Sequence, residues 1–297
     1  RVLIDARGLL DRKIQRETRF MTDSAAGAVW QLGVIGGGVM AEAILARLCD
    51  RDVIPGAQIC VSEPMAERRA TLAERYGVQV TDDNRSLLAQ SQIVLLAIKP
   101  QVFAPVAAQV AGAWDPARSP LILSILAGTT LAKLEAAFGG CPVVRAMPNT
   151  PATVGAGVTA IAPGSLAEQA AMEQARQIFG AIGQVVEVPE SLMDAVTGLS
   201  GSGPAFVALF VEALTDGGVA AGLPRATAST LALQTVLGTA QLLQDSQLHP
   251  AILKDRVTSP GGTTIAGVAA LEQAGFRSAT IEAVRAAWQR SQELGRA

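Results

Sequence analysis

The rhythm of apolar and polar positions changes about two thirds of the way along this chain. Up to Pro189 the apolar residues come as short runs rich in β-branched types, spaced by segments with helical periodicity. Residues 29–35 (Val29-Trp30-Gln31-Leu32-Gly33-Val34-Ile35), Ile59–Ser62, Ile93–Ile98, Leu121–Ile125 and Val143–Met147 read as buried strands. Pro64–Tyr76, Val102–Ala111 and Leu131–Phe138 read as helices between them. Val158–Ala162 and Gln184–Val188 are expected as closing strands around a helix at Leu166–Ile182. Such alternation predicts a mostly parallel sheet covered by helices on both faces, an α/β fold.

After Pro189 the strand-like runs stop. Gly203-Pro204 puts a proline in the first turn of a helix, where its missing N–H costs nothing. Phe206, Leu209, Phe210, Ala213 and Leu214 then form a stripe at helical spacing, expected to be core packing. No residue from Ala226 to Gln244 is charged. That stretch nears membrane-spanning length, but Thr227, Ser229, Thr230, Gln234, Thr235, Thr239 and Gln241 interrupt it. It reads as a helix buried between two copies of the chain. The expected organisation is an extension over 1–28, a dinucleotide-binding α/β domain over 29–189 and an all-helical domain over 190–297.

Within the extension, Arg1–Phe20 mixes both signs of charge and lacks the apolar stretch of a secretory signal. Met21 and the small polar residues after it read as a natural start with a short flexible lead. No functional role is expected for Arg1–Phe20.

Composition removes several function classes. A net charge of −2 does not favour a nucleic-acid or membrane surface built on basic excess. At 4% aromatic residues, base-stacking platforms are not expected. Cys49, Cys60 and Cys141 have no metal-ligand or redox spacing and read as small buried apolar residues in a reducing cytoplasm. The single histidine, His249, precedes Pro250 and reads as a turn or cap residue. No metal site is expected.

Two loops carry chemistry. Gly36-x-Gly38-x-x-Ala41 leaves the first strand and opens a helix, the context a dinucleotide phosphate loop requires. The glycines permit a tight turn and close approach of pyrophosphate, and the helix N-terminus faces its charge. The second strand ends at Ser62-Glu63-Pro64, where the adenosine ribose is expected. A carboxylate there accepts from a free 2′-OH and so favours NAD, while Ser62 and the nearby Arg68-Arg69 favour NADP; the residues alone leave this choice open. Asn84, the Ala97-Ile98-Lys99-Pro100 exit of the third strand, and Ile125-Leu126-Ala127 lie at the same sheet edge. The second loop, Ser259-Pro260-Gly261-Gly262-Thr263-Thr264-Ile265, opens an apolar helix and presents backbone N–H groups beside two hydroxyls. A small carboxylate suits that cradle.

Leu32–Ala41, Ala97–Pro100, Arg145–Pro151, Asp194–Phe206 and Ser259–Ile265 occur in this order, with Gly222-Leu223-Pro224-Arg225 and His249-Pro250 between the last two. In this combination the chain resembles pyrroline-5-carboxylate reductases across essentially 29–294. The resemblance implies an N-terminal Rossmann-like domain followed by an all-α dimerisation domain. It implies reduction of 1-pyrroline-5-carboxylate to L-proline, usually with NADPH and with NADH as the other donor. A homodimer built through the helical domain, assembling further into decamers, is implied as well. By motif, the substrate carboxylate lies on Ser259, Gly261, Gly262 and Thr263, and Thr264 hydrogen-bonds the ring nitrogen as the catalytic residue. Cofactor contacts map to Ile35, Gly36, Gly37, Gly38, Val39, Met40, Ser62, Glu63, Asn84, Ala97, Ile98, Lys99, Pro100, Ile125, Leu126 and Ala127. Glu63 departs from the small hydroxyl residue often found at its position.

Two other readings share parts of this pattern. A relative of 3-hydroxyacid dehydrogenases would use a lysine of the helical domain, and Lys254 is the only lysine after Lys133. A non-catalytic NADP-binding regulator would keep the first loop without needing the second.

Overall fold

The computed structural model describes residues 30–296, so the expected extension and its start at Met21 lie outside the described residues. The chain divides into two compact units, with the boundary between Met193 and Asp194.

The first unit is built on eight strands. They are β1 (Trp30–Ile35), β2 (Ile59–Ser62), β3 (Gln79–Thr81), β4 (Ser91–Leu96), β5 (Leu121–Ser124), β6 (Val143–Met147), β7 (Gly157–Pro163) and β8 (Gly183–Glu187). The sheet order is β3-β2-β1-β4-β5-β6-β7-β8, parallel except where β7 runs antiparallel to β6. The chain crosses from β3 to the other side of β1 to make β4, so the C-terminal ends of β1 and β4 diverge at a switch point that leaves a ligand crevice. The connecting helices are α1 (Val39–Asp50), α2 (Ala66–Tyr76), α3 (Asn84–Ala89), α4 (Phe103–Val110), α5 (Leu131–Ala137) and α6 (Gln169–Gly180).

Both faces of the central strands β1, β2, β4, β5 and β6 are largely buried, which is why they read as apolar runs, whereas the edge strands β3 and β8 are partly exposed. Leu32, Val34, Ile59, Val61, Ile93 and Leu95 form one cluster with Ile44, Leu45 and Leu48 of α1 and Ile178 and Phe179 of α6. Each such side chain contributes about 2 kcal/mol by leaving water. At the far end of this unit, Glu190 accepts from the Leu131 N–H at 2.5 Å and from Arg145 at 3.0 Å, so one carboxylate caps α5 and pairs a buried guanidinium.

Three departures from expectation have local causes. β3 and α3 were not expected: they are too short, and β3 too exposed, to show periodicity. The strand expected at Ile93–Ile98 is β4, shifted toward Ser91, because Ala97 to Lys99 turn outward at the crevice. The Pro64–Tyr76 helix begins only at Ala66, after Met65 donates its N–H to Glu63.

The second unit is all helix: α7 (Met193–Val196), a π-helical turn (Thr197–Gly201), α8 (Gly203–Ala220), α9 (Arg225–Ser246), α10 (Pro250–Arg256), α11 (Thr263–Gln273) and α12 (Phe276–Arg296). α7 begins at Met193, the last residue of the first unit. Asp194 accepts from Ser291 of α12 at 2.7 Å, and the π turn packs on the same helix through Gly198. Phe210 and Phe276 stack at 5.7 Å between centroids. His249 caps α10, its Nδ1 accepting from the Ala251 N–H at 3.2 Å.

The apolar stripe of α8 corrects an expectation. Leu209 is 66% exposed and Leu214 also stands out, so the stripe does not pack as core within the chain. On α9, Leu231, Leu233, Leu237 and Leu242 are likewise exposed. Among the described residues, the helical run Glu190–Ala220, rather than α9, is the one long and apolar enough to cross a membrane by length and composition; it carries Glu190, Asp194, Glu212 and Asp216.

Candidate active site

The first site lies at the switch point. Gly36 follows β1 in the left-handed region, φ +100°, and a Cβ there would meet the Ala97 carbonyl at 2.7 Å. Only glycine fits this turn. Its N–H donates to the Ser62 carbonyl at 2.8 Å, tying the loop to β2. Gly38 caps α1 with extended backbone and without a side-chain cap. A Cβ on Gly38 would meet nothing within 4 Å. The α1 N-terminus therefore opens on unfilled space with its N–H donors free of side chains, as an anion cradle requires.

A crevice of about 550 Å³ runs from this loop. It gathers Ile35, Gly36, Gly37, Gly38, Ser62, Glu63, Asn84, Ala97, Ile98 and Lys99 from the expected cofactor contacts. Pro64, at the expected ribose end, also lines it, as do Asp82, Val102, Val106 and Gln109, and the sequence reading missed these last four. Val102 and Val106 sit one turn apart on an ordinary apolar pattern, and Asp82 belongs to the short β3 exit. Val39, Met40, Pro100, Ile125, Leu126 and Ala127 are not among the lining residues. Leu126 is buried in the core, which leaves its backbone alone to meet a ligand. Met40 and Ile125 pack against the same core. The shape, the left-handed glycine turn and the helix start without a side-chain cap fit the pyrophosphate and adenosine half of a dinucleotide.

The charges beside the loop are organised. Glu42 on α1 accepts from Arg68 at 2.5 Å, Arg75 at 3.0 Å and the Tyr76 hydroxyl at 2.9 Å. The Arg68 hydrogen bond, above all, holds the Glu42 carboxyl below its ordinary value, against the opposing effect of burial. Burial, with the Glu42 hydrogen bond, pushes the Tyr76 hydroxyl up. Arg68 also donates through Nε to the Gly37 carbonyl at 2.7 Å. It braces the phosphate loop and is not the solvated helix face that a charge run usually signals.

The second site is the entry to α11. Gly261 adopts φ +66° and is the turn that aims the chain into the helix. Gly262 is the cap residue, and a Cβ on it would lie 2.3 Å from the Ser259 hydroxyl oxygen. Gly262 leaves room for the Ser259 hydroxyl in the rotamer it adopts here. The Gly262 N–H is spent on the Ser259 carbonyl at 3.1 Å. Thr263, Thr264 and Ile265 open the helix, and no side chain caps it. By helix geometry their N–H groups have no partner within the helix. Thr264 is the second helical residue, so it is not the cap. Dipole and amides favour a small anion here.

Other chemistry is absent or occupied. Among the described residues no three metal-ligating side chains cluster. The three cysteines are free thiols, and burial pushes Cys60 and Cys141 up to about 11, away from nucleophilic use. Lys254 pairs with Asp255 at 2.6 Å.

Comparison with known proteins gives the same division. A family model described as pyrroline-5-carboxylate reductase dimerisation matches residues 190–294. A second, described as NADP oxidoreductase coenzyme F420-dependent, matches residues 31–128. A pyrroline-5-carboxylate reductase of Synechocystis is 60% identical over 90% of this chain and 98% of its own length. The solved structure of a pyrroline-5-carboxylate reductase from Coxiella burnetii superposes with a TM-score of 0.82 at 33% identity, covering 90% of this chain and 98% of that one. That of a Plasmodium falciparum pyrroline carboxylate reductase with NADP bound gives 0.80 at 30% identity, over 91% and 100%.

Proposed function

This chain belongs to the pyrroline-5-carboxylate reductase family, and on that premise we propose that it reduces 1-pyrroline-5-carboxylate to L-proline, the last step of proline biosynthesis. The observation that carries the reading is the entry to α11: a left-handed glycine, a second glycine packed beside the Ser259 hydroxyl, and a helix start without a side-chain cap. The substrate carboxylate rests on the opening amides of α11, beside Ser259, Gly261, Gly262 and Thr263. Since the Gly262 N–H is already engaged, Thr263 and Thr264 supply the principal donors.

When bound in the crevice of the first unit, a reduced nicotinamide dinucleotide supplies the hydride. The chain's own work is placement. The Thr264 hydroxyl holds the ring nitrogen and stabilises the amine that forms when the imine carbon accepts hydride and the nitrogen holds a proton. A hydroxyl is too weak an acid at neutral pH to be the proton source, so the proton arrives on the bound iminium or from solvent.

The exposed leucines of α8 and α9 need a cover, and a second copy of the helical unit provides it. We assign the chain a homodimer built through that unit, with dimers assembling into decamers. Three free thiols suit the cytoplasm, and a net charge of −2 gives no basic excess with which to hold nucleic acid or an anionic membrane.

The test is direct. Purified protein given 1-pyrroline-5-carboxylate and either NADH or NADPH should consume the nicotinamide absorbance and yield L-proline in equal amount. Oxidation of neither nucleotide, under conditions where both bind, would defeat the proposal.

A further inference from the structure

We propose that this chain selects NADH over NADPH, and that Glu63 is the residue that selects. The proposal rests on the reading that the switch-point crevice receives the adenosine half of the cofactor. It turns on where the charges at the end of β2 are committed.

Glu63 follows β2 directly and lines the crevice beside the glycine loop. Its Oε2 accepts from the Gly37 N–H at 2.9 Å and its Oε1 from the Met65 N–H at 3.1 Å. Two backbone donors therefore fix the carboxylate against the phosphate loop. A carboxylate held there accepts hydrogen bonds from the hydroxyls of an adenosine ribose. The same carboxylate repels a 2′-phosphate, which carries close to two negative charges at neutral pH.

Of the nearby cations, Lys99 lines the crevice from beyond the end of β4, and the two arginines that follow Glu63 are committed to other partners. Arg68 is spent on Glu42 at 2.5 Å and on the Gly37 carbonyl at 2.7 Å. Arg69 donates to the carbonyls of Glu63 and Pro64 at 2.7 and 3.0 Å and pairs with Asp82 at 3.4 Å. Ser62, the hydroxyl that favours NADP in the sequence, is 3% exposed and cannot serve as an open phosphate ligand. Asp82 adds a second acid to the crevice wall. The family resemblance favours NADPH; the local geometry favours the cofactor without the extra phosphate.

A 2′-phosphate would compete for Arg69 with Asp82 and two backbone carbonyls, and drawing the guanidinium away would cost those contacts. That cost is what sets this ribose end apart from one in which an arginine waits unpaired.

The measurement is the dissociation constant of NADH and of NADPH, read by fluorescence of the reduced nicotinamide, for the full chain and for Glu63→Gln. Glutamine keeps the size and an acceptor for the Gly37 N–H while removing the charge. NADH should bind at least tenfold more tightly to the unaltered protein, and Glu63→Gln should shrink that ratio by about 10- to 100-fold, with kcat/KM ratios moving in step. NADPH binding as tightly as NADH, or a ratio unmoved by Glu63→Gln, would overturn the proposal. If Glu63→Gln fails to fold, the ratio of the unaltered protein decides alone. Failure of both nucleotides to bind would instead overturn the crevice assignment beneath it.

Discussion

The two units of this protein spend their apolar residues in opposite ways. In the first, the strands and helices β1 to β8 and α1 to α6 enclose their own core, and the largest buried side chains all belong to it. In the second, α8 and α9 turn leucines outward, and few residues are buried. A core closed within one chain supports a crevice with fixed glycines. A core left open needs another copy to exist. The cofactor site is thus expected to survive in a monomer, whereas the helical unit is expected to depend on association.

That contrast can be broken at either end. The largest effect is expected from Gly36→Val, which combines a φ of +100° with a contact at the Ala97 carbonyl. Nucleotide affinity should fall by more than about 100-fold while sedimentation still reports the native assembly, because the altered turn belongs to the first unit alone. Retained nucleotide affinity would show that the loop tolerates a side chain and is not the phosphate site.

Thr264→Ala comes next. It should lower kcat by roughly 10- to 1000-fold, the scale of losing one placed donor, with nucleotide affinity unchanged. Full kcat at saturating substrate would remove Thr264 from the mechanism.

Leu209→Asp sharpens the other side of the comparison. A charge on this 66%-exposed position should be harmless if the α8 face is free. It should weaken self-association by about 100-fold or more if that face is covered by a second copy, as analytical ultracentrifugation would report. Nucleotide affinity should not change in either case.

Smaller effects probe the first unit's own polar ties. Glu190→Gln removes the charge that pairs Arg145 and caps α5, and should cost about 2 kcal/mol in denaturant unfolding of this unit. The smallest concerns pH. The Glu42 carboxyl titrates below its ordinary 4.5 in the folded protein. Its contribution to stability is therefore present above that value and is lost as pH falls through the lower, folded one. Glu42→Gln should flatten the acid limb of the Tm profile below about pH 4.5. An unchanged limb would mean that the Arg68–Glu42–Tyr76 cluster has no part in acid unfolding.

Legibility in the sequence follows the same division. The parallel strands could be read because burial on both faces makes them continuous apolar runs, as in Val143–Met147. The glycine loop and the α11 entry were readable because glycine at those places has a local backbone reason. What escaped was non-local or short. β3 and α3 are too brief to carry a period. The roles of Arg68 and Arg69 depend on acids far away in sequence, Glu42 and Asp82, and no spacing rule links them. The α8 stripe was readable as apolar, but its periodicity carries no sign of which molecule covers it. The π turn at Thr197–Gly201 has no pattern that separates it from ordinary helix.

The central claim is that the α11 entry of one unit and the crevice of the other serve one reaction in the assembled protein. A crystal structure of the oligomer with L-proline and an oxidised nicotinamide dinucleotide tests it most directly. The account predicts the proline carboxylate on the Thr263 and Thr264 amides, with its ring carbon about 3.5 Å from the nicotinamide C4. Proline bound elsewhere, or a nicotinamide remote from every Gly261–Thr264 loop in the assembly, would contradict it.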